Sequence, residues 1–135
     1  MRAFTLISLL LCGLLLPATL LAAPVLRCQI NQGESARVLD FKPVADPYTV
    51  QAVDIDGLFR FKAVVIGDTQ HVAYIKIYVY GQNPRQPMLL HQATYQAPVA
   101  SAAAPPSSLT GVNYVYAPPY ERELQYGCAL LEKKA

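Results

Sequence analysis

A chain of 135 residues with a formal charge of +2 has room for one domain. It is neither basic enough to leave an electrostatic footprint for nucleic acid nor acidic enough for a solvating tail. Its seven glycines are scattered and it holds two His, so no phosphate-binding glycine loop is present and no cofactor is implied.

Residues 1–22 read as a secretory signal peptide. Arg2 is followed by an uncharged run from Ala3 to Leu26, with small residues at Ala22 and Ala23. Pro24 sits badly directly after a cut, so cleavage is expected after Ala22, leaving a single domain over 23–135. The run is long enough for a membrane anchor, but Gly13 and Pro17 interrupt it. No stable membrane insertion is expected after cleavage. Cys12 follows Leu11 and Cys28 follows Arg27, whereas a lipidated bacterial cysteine follows a small residue. The opening "AFTLISLLL" resembles the start of type IV prepilins, with Ala3 in place of their Gly and Ser8 in place of their Glu. It departs from their long helix at Pro24, where strand-like sequence begins.

The rest reads as all-β. β-Branched and aromatic residues alternate with polar ones, and turn signals recur at short spacing. Strands are expected near 25–31, 35–42, 48–55, 58–66, 71–80, 87–95, 109–116 and 121–131. The fold expected is a small antiparallel β-sandwich or barrel of about seven to eight strands.

Asp56-Gly57 is a two-residue hairpin signal. Placed at the tip, it pairs Asp54 with Phe59, Ala52 with Phe61, Val50 with Ala63 and Tyr48 with Val65, so that Tyr48, Val50 and Ala52 face the core. A three-residue loop of Gly67, Asp68 and Thr69 then pairs Ala63 with Ala73, Phe61 with Ile75 and Phe59 with Ile77. This register sets Arg60 opposite Lys76, a like-charge pair, and Lys62 opposite Tyr74, a cation–π contact. "HVAYIKIYVYG" (71–81) is the most informative stretch. Ala73, Ile75, Ile77 and Val79 face inward, while Tyr74, Lys76, Tyr78 and Tyr80 form an outward row. Tyr114 and Tyr116 share a face on a later strand. Such rows are either the half-exposed wall of a β-domain or a recognition face, since Tyr is enriched at binding hot spots.

"GQNPRQ" (81–86) reads as a turn. "QAPVASAAAPPSS" (96–108) is uncharged and rich in Ala and Pro; it is read as a mobile loop that cannot hold a strand ladder.

Cys12 leaves with the signal, so Cys28 and Cys128 remain. An even count in an exported chain implies a disulfide. Each cysteine lies on the apolar face of its strand, and the bond would staple the first strand to the last.

Catalytic constellations are sparse. His71 and His91 are expected about 17 Å apart, His91 lying opposite Lys76, too far to share a metal; no metal site is assigned. Asp54/Asp56 and Glu121/Glu123 have the spacing of two that puts both carboxylates on one strand face, as glycosidase chemistry needs. The simpler reading is turn chemistry for the first pair and a charged strand edge for the second. Ser35, Ser101, Ser107 and Ser108 form no nucleophile elbow. The expectation is an exported, periplasmic or extracellular, non-enzymatic domain. It binds an envelope protein through Tyr74, Lys76, Tyr78 and Tyr80. The alternatives are an envelope glycan on the same rings, or a small hydrolase using Glu121 and Glu123.

Overall fold

The computed structural model describes Pro17, residues 21–118 and residues 121–134. The expected signal peptide lies outside these residues, apart from Pro17, Leu21 and Ala22. The described residues form eight strands: β1 (Ala22–Gln32), β2 (Ser35–Phe41), β3 (Val53–Ile55), β4 (Phe59–Gly67), β5 (Val72–Gly81), β6 (Met88–Gln96), β7 (Asn113–Ala117) and β8 (Arg122–Lys134). They form two antiparallel four-stranded sheets, ordered β2-β1-β8-β7 and β3-β4-β5-β6, and the fold is a β-sandwich. Every expected strand has a counterpart. Among the described residues no helix is long and apolar enough to cross a membrane.

The core follows from the period of two. Phe59, Phe61, Ile75, Ile77 and Val79 of one sheet meet Leu26, Ile30, Leu124, Tyr126 and Leu130 of the other, all buried. Each such side chain stabilises the fold by about 1.5–3 kcal/mol relative to exposure. The Phe61 and Tyr126 rings meet edge to face at 5.3 Å. Cys28 and Cys128 are direct partners in the β1–β8 ladder and form the disulfide, closing a sequence separation of 100 residues between first and last strands. Arg27 and Asp40 are partners across β1–β2 and join through two hydrogen bonds of 2.8 Å, which hold the Asp40 carboxyl below the usual carboxylate range.

The first hairpin departs from the expected register by one residue. Asp56 and Gly57 do form the tip in left-handed backbone, closed by the Leu58 amide donating to the Ile55 carbonyl at 3.1 Å. Leu58 is then an extra residue, and Ile55 pairs with Phe59, Asp54 with Arg60 and Val53 with Phe61. The physical reason is Asp54. The expected register would have put its carboxylate on the core face opposite Phe59, where an unpaired charge is costly. The slip turns Asp54 outward and buries Ile55 instead. The expected strand at 48–55 shortens to β3, because Pro47–Thr49 forms a 3-10 turn capped by Asp46. Tyr48, expected in the core, is 89% exposed.

The second hairpin slips further but keeps its faces from Tyr74 onward. Phe61 pairs with Val79, Ala63 with Ile77 and Val65 with Ile75. An irregularity at Ile66/Gly67 shifts the strand phase, so Val72 is buried and Ala73, expected inward, is exposed. The new register removes the expected clash, since Arg60 now faces Tyr80, Lys62 faces Tyr78 and Lys76 faces Val64.

The Ala/Pro-rich segment runs along β8 beyond the short β7. Ser101 donates to the Leu130 carbonyl at 3.1 Å and accepts from the Glu132 amide at 2.9 Å, a one-rung parallel bridge to Leu131. Leu109 donates to the Cys128 carbonyl at 3.0 Å, and the Cys128 amide donates to Thr110 Oγ1 at 2.8 Å. A segment expected to hold no ladder thus satisfies the edge of β8 that β7 leaves free.

Candidate functional site

β5 carries the tyrosine row on the outer face of its sheet. Tyr74, Lys76, Tyr78 and Tyr80 are all half-buried, because the strand's period points them away from Ile75, Ile77 and Val79. Their neighbours across β6 are uncharged: Gln96 beside Tyr74, Thr94 beside Lys76, Gln92 beside Tyr78 and Leu89 beside Tyr80. The Tyr78 and Tyr80 rings stack, with centroids 6.2 Å apart and planes 15° from parallel. Lys62 Nζ lies 6.0 Å from the Tyr78 ring centre, and Lys76 Nζ 5.7 Å from that of Tyr74. The cation–π contact expected for Lys62 therefore exists, but with Tyr78. Partial burial, and secondarily Tyr78, raises the Tyr80 phenol above its ordinary value. The face offers neutral hydroxyls, ring surfaces and cations.

Arg60, expected on the outward face, belongs to it, and so does Tyr48, expected in the core. Residues 42–52 pack along β4: the Val44 amide donates to the Val65 carbonyl at 2.8 Å, and the Gly67 amide donates to the Val44 carbonyl at 3.3 Å. Asp46 caps the turn that follows, accepting from the Tyr48 amide at 2.9 Å through its side chain and from Thr49 Oγ1 at 2.8 Å through its carbonyl. The result is a groove of about 290 Å³ between this segment and the sheet, lined by Tyr48, Gln51, Arg60, Lys62, Tyr80 and Pro87. Among the described residues no hydrogen bond or ion pair holds the Arg60 guanidinium. Its β3 partner Asp54 is engaged elsewhere, accepting from the Gly57 amide at 3.1 Å and from the Gln82 side-chain amide.

The other candidates go to different places. Asp56 is ion-paired with Arg37, which also donates to the Asp54 carbonyl at 3.2 Å, so this carboxylate pair serves the turn and a clasp between β2 and β3. Glu121 precedes β8 with a left-handed backbone (φ 51°), so it does not share a strand face with Glu123 as expected. Glu123 is paired with Tyr116 across β7–β8, and its nearby carboxylate raises the Tyr116 phenol above its ordinary value. Tyr114 and Tyr116 are both exposed.

His91 lies opposite Val79, not Lys76. The slip at Val79/Tyr80 turns its ring toward the other sheet, where Nε2 is hydrogen-bonded to the Tyr126 hydroxyl at 2.7 Å. His71 is exposed ahead of β5. Among the described residues no group of three His, Cys, Asp or Glu is placed to hold a metal ion. No family model, curated protein or solved structure matches this chain.

Proposed function

We propose that this is a small exported, non-enzymatic β-domain of a bacterial envelope. On this reading it binds a protein partner through Tyr74, Lys76, Tyr78 and Tyr80. The observation that carries the reading is the stacked Tyr78–Tyr80 pair, half-exposed on the outer sheet face beside Lys62. Tyr rings supply large contact area with few rotatable bonds, which is why they serve as anchors in interfaces. The disulfide is compatible with an oxidising compartment, and the uncharged run after Arg2 supports export.

The test is an in-cell crosslink and pull-down of the tagged mature protein. Wild type retains a protein partner and Tyr78→Ala loses it. Recovery of the same proteins by both would remove the face from consideration as the binding surface. The near-parallel rings also favour a second reading, a glycan stacked on the same platform. A change in tyrosine fluorescence with murein or polysaccharide fragments, without a protein partner, would select it.

A further inference from the structure

Resting on that reading, we infer that the partner enters the groove beside Tyr48 with an acidic, extended segment, one carboxylate of which is clasped by Arg60 with Lys62 beside it. The class of partner follows from charge. Arg60, Lys62 and Lys76 share the outer face, and the carboxylate nearest in register, Asp54, is held by Gly57 and Gln82. Covering these cations with an apolar surface would strip their water without replacing it. A partner that brings carboxylates removes that penalty. Arg60 offers a planar fork that can meet a carboxylate with two hydrogen bonds, and it makes no competing contact among the described residues.

The shape of the groove selects an extended peptide. At about 290 Å³ it lies at the small end of ligand cavities, with room for side chains rather than a whole folded element. One wall is Gln51, whose main-chain amide and carbonyl are hydrogen-bonded to no described residue. A free main-chain donor and acceptor at a groove wall can pair with a passing strand, the device by which extended peptides gain affinity. Tyr48, held outward by its capped turn, and Tyr80 both line the groove, and their rings would help exclude water from the Arg60–carboxylate contact.

The probe is a synthetic decapeptide alternating Glu and Thr, added to the isotope-labelled mature protein and followed by NMR. Its Gln/Thr counterpart and an oligogalacturonate of matched charge serve as comparisons. The Glu peptide is expected to shift the amides of Tyr48, Gln51, Arg60, Lys62 and Tyr80, with binding that weakens as salt rises. Arg60→Gln should weaken it at least tenfold, and Arg60→Lys less. Lys134→Gln, at the other end of the sandwich, should leave it unchanged. No shift at millimolar peptide, equal binding of the Gln peptide, or shifts scattered over other cations would each overturn the inference. So would binding of the oligogalacturonate in preference to the peptide. The two readings fail separately. A pull-down that depends on Tyr78 but not on Arg60 or Lys62 overturns the acidic segment and keeps the face. A pull-down indifferent to Tyr78 overturns the face and the inference built on it.

Discussion

Ser107 stands where a side chain at position 127 would be. A Cβ built on Gly127 would fall on the Ser107 hydroxyl, 2.9 Å from the Ser107 Cβ and 3.2 Å from the Gly111 carbonyl oxygen. Gly127 lies mid-strand in β8, next to the disulfide. Its glycine identity is required by this close approach, since its backbone is not left-handed. The Ala/Pro-rich segment folds over the sheet at this point and leaves no room for a methyl group.

Gly127→Ala is therefore expected to destabilise the fold by about 1–3 kcal/mol, the usual cost of overpacking. Ser107→Gly in the same chain should restore most of that loss, because it removes the atoms that clash. Urea denaturation of the two single variants and the double variant measures the coupling. Additive losses would mean that the strand at Gly127, rather than its contact with Ser107, sets the sensitivity.

The alternation of residues 71–81 was enough to place β5 and its outward tyrosines, because a period of two survives any even slip in register. The register itself was not legible. The Asp56-Gly57 turn is present, but one extra residue, Leu58, moves every β3–β4 pair. The signal that could have caught it was Asp54, a carboxylate that the two-residue loop would have set on the core face. The second slip moved partners by an even number, so faces survived from Tyr74 onward while Arg60 and Lys62 changed neighbours, and only the irregularity at Ile66/Gly67 turned Ala73 out. Tyr48 and the groove were hidden for another reason. Pro47 after Asp46 marks a capped turn, but only the tertiary path of 42–52 along β4 brings that turn beside Arg60 and Tyr80.

The Cys28–Cys128 bond joins strands at the centre of one sheet. Its removal should act mainly by freeing the unfolded chain, since the ladder around it remains. The double variant Cys28→Ala/Cys128→Ala is expected to lose about 2–5 kcal/mol while keeping its β-sheet circular dichroism. Intact mass should rise by about 2 Da when the wild-type protein is reduced. Two thiols that react in freshly isolated protein, before any reductant is added, would show that the bond does not form in the cell.

The 96–111 segment mixes bonded and unbonded amides. Ser101, Leu109 and Gly111 donate to Leu130, Cys128 and Ser107 at 3.1, 3.0 and 2.8 Å, whereas Val99 is exposed. Hydrogen exchange should follow that division. The Ser101 and Leu109 amides should exchange with the slow class of β8, and those of Val99 and Ala102 should exchange at the first time point. If Ser101 and Leu109 also exchange at once, the segment opens independently of the sandwich, as its composition suggests.

His91 couples the two sheets through Tyr126, and this predicts a pH dependence. Burial holds the imidazole below its ordinary value of 6.5, and it also raises the Tyr126 phenol. The phenol stays neutral, so no charge compensates a protonated His91 across their 2.7 Å contact. The unfolded chain binds a proton at His91 more readily than the folded one does. The associated stability is fully present above about pH 6.5 and is lost as pH falls toward the lower folded value. The denaturation midpoint of wild type should therefore fall between about pH 7.5 and pH 5. Asp40 and Asp68 are held below the ordinary carboxylate value of 3.8, so their own losses come at more acidic pH and leave this window to histidine. His91→Gln keeps a partner for the Tyr126 hydroxyl but cannot titrate. It should flatten the profile across that window. An unchanged slope in the variant would place the pH dependence elsewhere and reduce the His91–Tyr126 contact to packing.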